Sequence, residues 1–176
     1  MFNLQSDNIY LSSALSFYFQ QKGIHLSLEQ NAPFFAHLIV RQHESAIEIT
    51  CKSQTVKLTA PQHIQTYFDN IMSLLNNVQI KFSELTYFPI TQVLKFKQEN
   101  LKIKNIHNII LSNLLLYLEE GIEKPILYKK IWPNDKSYQI NKLDTHLTNL
   151  KKELKGSLNF DLIFSSSNGN LRLRVN

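Results

Sequence analysis

Leu143, Leu147, Leu150 and Leu154 recur at spacings of four, three and four within INKLDTHLTNLKKELKG, residues 140–156. They therefore share one side of a predicted α-helix. The other side is polar and basic, with Lys142, Thr145, His146, Thr148, Asn149 and Lys152 projecting away from the leucines. Gly156 is the expected stop. The same periodicity predicts a helix over residues 8–22, where Ile9, Leu11, Leu15 and Phe19 fall together and Gly23 closes the run. It also predicts one over 62–76, opened by Pro61 and striped with Ile64, Phe68, Ile71, Leu74 and Leu75. Two further helices are expected over 106–120, behind an Asn105 cap and ahead of Gly121, and over 125–132 behind Pro125.

Strand patterns fall between these helices, at 24–28, 36–42, 46–53 and 55–59. Two longer alternating runs, VQIKFSELTYF (78–88) and QVLKFKQENLKI (92–103), lie either side of Pro89 and Thr91 and predict one β-hairpin or a short antiparallel sheet. The end of the chain, FDLIFSSSNGNLRLRVN, predicts a second hairpin carrying Arg172 and Arg174. A boundary at Asn76-Asn77 separates an N-terminal domain, 1–76, from a second domain, 77–176.

Charge sharpens that division. Residues 1–76 hold four Lys or Arg against five Asp or Glu, whereas residues 77–176 hold fifteen against nine. The basic character belongs to the second part, which points to a nucleic-acid-facing half, with a solvated basic surface as the plainer alternative. A 43% apolar and 19% charged composition is that of a globular chain. The longest apolar run, Ile109 to Leu118, is broken by Ser112 and Asn113 and is far short of the roughly 20 residues a bilayer requires. No membrane-spanning helix is expected. With no signal-peptide pattern and one cysteine, Cys51, the expected compartment is the cytoplasm. His25, His37, His43, His63 and His107 lack metal-ligand spacing, and no nucleophile motif or glycine-rich phosphate loop is present. Neither an enzyme nor a metal or cofactor site is expected.

Three helices followed by a terminal hairpin, the third helix basic on its outer face, is the order of a winged helix-turn-helix. LYKKIWPNDKSYQINKLDTHLTNLKKELK resembles the helix, turn and recognition helix of the OmpR/PhoB-type effector domain of bacterial response regulators. The matching positions are Leu127, Ile131, Trp132, Leu143, Asp144, His146, Leu147, Leu150, Lys151, Lys152 and Leu154. The resemblance implies an α+β winged helix whose third helix enters the major groove of DNA while the wing reaches the adjacent backbone. Carried over by position, Lys142, Thr145, His146, Thr148, Asn149, Lys151 and Lys152 become contact candidates, with Asn168 and Arg172 on the wing. Asn149 is the best base reader, since its amide can donate and accept against adenine, and Thr145 can meet a thymine methyl. Lysines suit phosphates. Asp144 reads more readily as a salt-bridging residue, and His146 as a packed or phosphate-contacting imidazole, than as catalytic groups. The chain departs from the family where arginines are usual, with Thr148 and Asn149 on the helix and SNGNLR in place of the family's wing pattern.

The N-terminal part resembles a reduced α/β receiver domain. SDNIYLSSALSFYFQQKGIHLSL is similar to a receiver's opening, and KLTAPQHIQTYFDNIMSLLNN to its last strand and helix. A full receiver has roughly 120 residues, so two or three helix-strand units are expected to be missing or reduced. Arg41 stands near where an acceptor aspartate is expected, and Ala60 precedes Pro61 where the family has lysine. Only Asp7 could remain of the acidic cluster, so no phosphorylation site is expected. A dimerisation surface formed by Tyr67, Phe68 and Ile71 is expected instead, unless those residues close the domain's own core. The resemblance thus implies a phosphorylation-independent transcriptional regulator, with duplex DNA, a second copy of the chain and RNA polymerase as candidate partners. The alternative is a protein-interaction adaptor whose winged helix has lost specific DNA binding.

Overall fold

A strand that the periodicity does not announce organises the first part of the chain. In the computed structural model, which describes residues 2–29, 33–167 and 169–174, β1 (Phe2–Ser6) lies between two other strands and buries Phe2, Asn3 and Leu4. Its apolar alternation is only Phe2 and Leu4, too short to read as a strand from sequence. Asn3 is wholly buried, and its amide donates to the carbonyls of Ser27 at 3.3 Å and Glu29 at 2.8 Å. A polar side chain without such partners would be costly there.

Two compact units make up the chain, Met1–Val78 and Gln79–Asn176. In the first, β1 leads to α1 (Ile9–Gln21), β2 (Leu26–Ser27), β3 (His37–Gln42), β4 (Ala46–Cys51), β5 (Gln54–Thr59) and α2 (Ile64–Asn76). The sheet order is β2-β1-β3-β4-β5. β1 runs parallel to β2 and β3, whereas β3, β4 and β5 are antiparallel neighbours. Antiparallel neighbours need only tight turns, whereas a parallel pair needs a crossover of a dozen or more residues. Helices are therefore absent between β3 and β5, and α1 and α2 pack beside one another on a single face of the sheet. Leu15, Phe19, Ile71 and Leu75 meet Leu38, Val40, Ile47 and Ile49 in that core. The opposite residues on β3, β4 and β5, among them Arg41, Glu48, Thr50 and Lys57, face outward, with Glu48 and Lys57 paired at 3.3 Å. α2 begins at Ile64 behind a His63 cap, so Pro61 precedes the helix rather than lying in its first turn.

The second unit opens with a four-stranded meander, β6 (Ile80–Phe82), β7 (Leu85–Phe88), β8 (Val93–Phe96) and β9 (Glu99–Lys102). Each of the two alternating runs is thus itself a hairpin, turning at Ser83 (φ 54°) and Lys97 (φ 55°). Left-handed turn positions usually signal themselves by Gly or Asn, and these do not. Then come α3 (Asn105–Leu116), β10 (Ile122–Glu123), α4 (Lys124–Ile131), α5 (Ile140–Leu158), β11 (Ile163–Ser167) and β12 (Asn170–Arg174). β12 pairs with both β10 and β11, so the terminal hairpin extends to a three-stranded wing. This is the winged helix-turn-helix arrangement. Buried Tyr87 ties the meander to α3, its hydroxyl reaching Asn108 Oδ1 at 2.6 Å and also Ser112.

Two end-signals differ from expectation. Lys104, not Asn105, is the N-cap of α3 and makes no side-chain capping bond. Gly156 does not stop α5, which continues to Leu158 and ends at Asn159 in the left-handed conformation (φ 51°). The two extra residues add buried Leu158 to the leucine seam.

Gly121, by contrast, is needed where it stands. It joins α3 to β10 at φ +78°, and a Cβ there would sit 2.7 Å from Arg172 Cγ. Gly121→Ala is expected to lower the unfolding free energy by about 1–3 kcal/mol, through the left-handed backbone and the clash together. Urea denaturation of the full chain measures it.

Candidate nucleic-acid interface

The orientation of α5 follows from what it buries. Leu143, Leu150 and Leu154 are fully enclosed, and Leu147 and Leu158 nearly so. A hydrogen bond and a salt bridge flank the seam and fix the rotation of the helix. His107 of α3, itself buried, meets Glu153 at 2.6 Å, and Lys124 of α4 meets Asp144 at 2.8 Å. Asp144 is thus the salt-bridging residue expected from sequence. Facing outward are Asn141, Thr145, Thr148 and Lys152, at steps of four, three and four along one stripe, with Asn149 one turn beyond Thr145 and Lys151 beside them. Thr148, Asn149, Lys151 and Lys152 are exposed and have no hydrogen-bond or ion-pair partner among the described residues. Their donors and acceptors are therefore available to a ligand. Thr145 is exposed too, although its hydroxyl donates to the Asn141 carbonyl at 2.7 Å, leaving the methyl as its free group.

Lys142 and His146 stand differently. The Lys142 ammonium donates to Asp135 Oδ2 at 2.8 Å and lies 4.3 Å from the centre of the Trp132 ring. The Tyr128 hydroxyl donates to the same carboxylate. These bonds, Lys142 first, hold the Asp135 carboxyl below its ordinary range, while burial and then Asp135 push Tyr128 up to about 12. Lys142 therefore locks the loop between α4 and α5, its charge already matched. His146 is half-buried between the rings of His107 (5.9 Å) and Trp132 (5.4 Å). Burial, followed by the repulsion of His107, Lys142 and Lys104, lowers its pKa. It is a packed imidazole at the base of the stripe.

On the wing, Arg172 is exposed, with its Nε donating to the Glu120 carbonyl at 3.1 Å. Arg174, two residues on along the same side of β12, is exposed as well. Asn168 lies outside the described residues. Sequence reasoning passed over Asn141, although its place one turn before Thr145 is the signal that would have found it. In the first unit, Tyr67 and Ile71 are buried in the core and Phe68 packs against Tyr18 and Phe19 at 5.4 and 4.7 Å. The side chains expected to form a dimerisation surface are thus used inside the unit, because the helical stripe they belong to is the one that covers the sheet.

No protein-family model and no curated protein matches the sequence. Among solved structures, it is similar to the C-terminal domain of the nisin resistance regulator NsrR, a lantibiotic response regulator. That likeness has 22% identity, spans 55% of this chain and 97% of that one, and has a TM-score of 0.43. The DNA-binding domain of CpxR from E. coli is similar at 17% identity over 54% and 94% of the two chains, with a TM-score of 0.46. A point mutant of RitR is similar along 99% of both chains, at 9% identity and a TM-score of 0.46. These likenesses bring no residue role to this chain. Among the described residues, no helix is long and apolar enough to cross a membrane.

The lowered pKa of His146 sets a pH dependence. The unfolded chain, with an ordinary histidine at 6.5, takes up the proton before the folded one does. Its contribution to stability is therefore present above about pH 6.5 and lost as the pH falls through the folded value. Urea midpoints at pH 7.5 and 5.5 are expected to differ more in the wild type than in His146→Gln.

Proposed function

We propose that the second unit binds duplex DNA through the outward stripe of α5, and that the chain is a sequence-selective transcriptional regulator. The observation that carries this reading is the unpaired set Thr148, Asn149, Lys151 and Lys152 on a helix whose opposite side is sealed. Asn149 supplies a bidentate amide for a base edge, Thr145 and Thr148 supply methyl and hydroxyl groups, and Lys151 and Lys152 supply phosphate contacts. On this reading the exposed Arg172 and Arg174 of the wing supply further phosphate contacts. Lys142 and His146 act through position: they shape the loop and the base of the helix without touching DNA.

The test is selection of genomic fragments followed by fluorescence anisotropy on the recovered duplex. Asn149→Ala is expected to cost about 1–3 kcal/mol and to relax one base position, while Lys152→Ala weakens all sequences alike and reduces the salt slope by about one. Lys142→Met is expected to lower the denaturation midpoint while leaving the salt slope unchanged. Wild-type affinity in Asn149→Ala with Lys152→Ala would remove α5 from the interface. One observation favours the adaptor reading instead: Lys124, Lys142 and Lys155 are all ion-paired, the last to Asp161 at 2.5 Å. Unselective retention of DNA fragments, unchanged in the variants, would support the adaptor.

For the first unit we propose a receiver-like ancestry without phosphoryl control. Its order β2-β1-β3-β4-β5 is the flavodoxin-like order that receivers use, with hairpins standing where helical crossovers would be. Asp7, the one candidate for an acidic cluster, accepts the Gln42 backbone N–H on both oxygens at 3.0 and 3.1 Å. Incubation with a small phosphodonor and Mg²⁺ is expected to leave the mass of the intact chain unchanged. A phosphorylated species would overturn this part of the reading.

A further inference from the structure

α1 has an outer face that the sheet leaves uncovered. Tyr10 is 86% exposed and Phe17 65%, with exposed Ser13 and Ala14 between them. Residues 10, 13, 14 and 17 follow the i, i+3, i+4, i+7 spacing of a single helix side. The whole helix, IYLSSALSFYFQQ, contains no charged residue, in a chain of which 19% is charged. A solvated helix face ordinarily carries charge, as the outer side of α5 does.

The order of large and small side chains on this face is symmetric about its middle. Turning the helix end for end around the point between residues 13 and 14 places Tyr10 opposite Phe17 and Ser13 opposite Ala14. An interface on a twofold axis has that requirement: if residue i meets residue j, then j meets i. The two small residues at the centre let the helices approach closely, and the aromatic rings close the ends. The charges that bracket the helix fit the same arrangement. Exposed Asp7 precedes it and exposed Lys22 follows it, so antiparallel pairing brings each Asp7 end beside the other copy's Lys22 end. The opposed helix dipoles act in the same sense. A face without charge also has nothing to repel its own image.

We propose that the α1 face is a self-association surface, on which two copies of this chain pair antiparallel about a twofold axis through Ser13 and Ala14. One helix face covers less area than a standard interface, so the contact belongs to the weak, reversible class. It holds whether or not α5 reads DNA, and its test is separate from that of the DNA interface.

Sedimentation velocity of the full chain is expected to show a concentration-dependent monomer-dimer equilibrium over roughly 1–100 µM. Phe17→Glu is expected to raise the dissociation constant by about tenfold or more. Ser73→Glu, on the exposed side of α2, leaves it unchanged. Because Phe17 is exposed, its replacement spares the core, and an unaltered circular dichroism spectrum confirms the fold. The register is tested by mixing Tyr10→Cys and Phe17→Cys chains with a short thiol-thiol cross-linker. Native Cys51 is buried and its thiol pKa is raised by that burial, so the introduced thiols react first. Preferential cross-linking of the mixture over either variant alone supports the antiparallel register. A monomer at every concentration, a dimer indifferent to Phe17→Glu, or equal cross-linking of each variant with itself overturns the proposal.

Discussion

The burial of one side of α5 is the constraint on which the second unit depends. Five leucines, Leu143 through Leu158, are enclosed by α3, α4 and the strands around them, and truncating any one to alanine removes about 2–5 kcal/mol of packing. That is a large share of the 5–15 kcal/mol by which a domain is stable, so the helix has one permitted rotation. His107–Glu153 and Lys124–Asp144 sit on either flank of the seam and would be broken by turning it. The outward stripe from Asn141 to Lys152 is therefore a consequence of the core.

A different economy governs the first unit. A parallel sheet buries both faces because its crossovers place helices on each side. Here only β1, β2 and β3 are parallel, and the hairpins from β3 to β5 leave the second face open. That face is polar: Arg41, Glu48 and Lys57 stand on adjacent strands, and Thr50 bonds Thr55 at 3.0 Å. Apart from Ile39, which pairs with Thr50 on the polar face, the large apolar residues of the same strands point towards α1 and α2. With both helices occupied on their inner sides, Tyr67 and Ile71 are buried and half-buried Phe68 packs on Tyr18 and Phe19, while Tyr10 and Phe17 of α1 stay uncovered.

What could be read from the sequence was whatever repeats over several turns. The seam of α5, the stripe of α2 and the alternation of β4 through Ile47, Ile49 and Cys51 each give three or more consistent positions. What could not be read depends on single residues or on tertiary partners. β1 is held by its neighbours on both edges rather than by its own pattern. The turns at Ser83 and Lys97 use residues with no preference for the left-handed region, so two hairpins read as two strands. Gly156 has helix-stopping chemistry, but a buried Leu158 one half-turn later makes continuing the helix more favourable than ending it. At the candidate interface, the exposure of Thr148, Asn149, Lys151 and Lys152 follows from helical spacing alone. The engagement of Lys142 does not, because Asp135 and Trp132 reach it only through the fold of the preceding loop.

The ion pairs around α5 bear on how such an interface would work. Lys142 and Lys155 of α5, like Lys124 of α4, are ion-paired, which leaves Lys151 and Lys152 as the lysines of α5 without an ion-pair partner among the described residues. Phosphate contacts supply most of the affinity of a DNA-binding module, and two such lysines with the wing arginines are a small number. A single copy would then discriminate bases better than it holds DNA. Pairing two copies converts the second binding step into an intramolecular one and multiplies the affinity without a new contact to DNA. Weak pairing suits this purpose, since duplex DNA bearing two half-sites would itself favour the dimer. On the proposed reading, the uncharged face of α1 and the sparsely charged face of α5 therefore answer one another: what α5 lacks in phosphate contacts, association through α1 replaces.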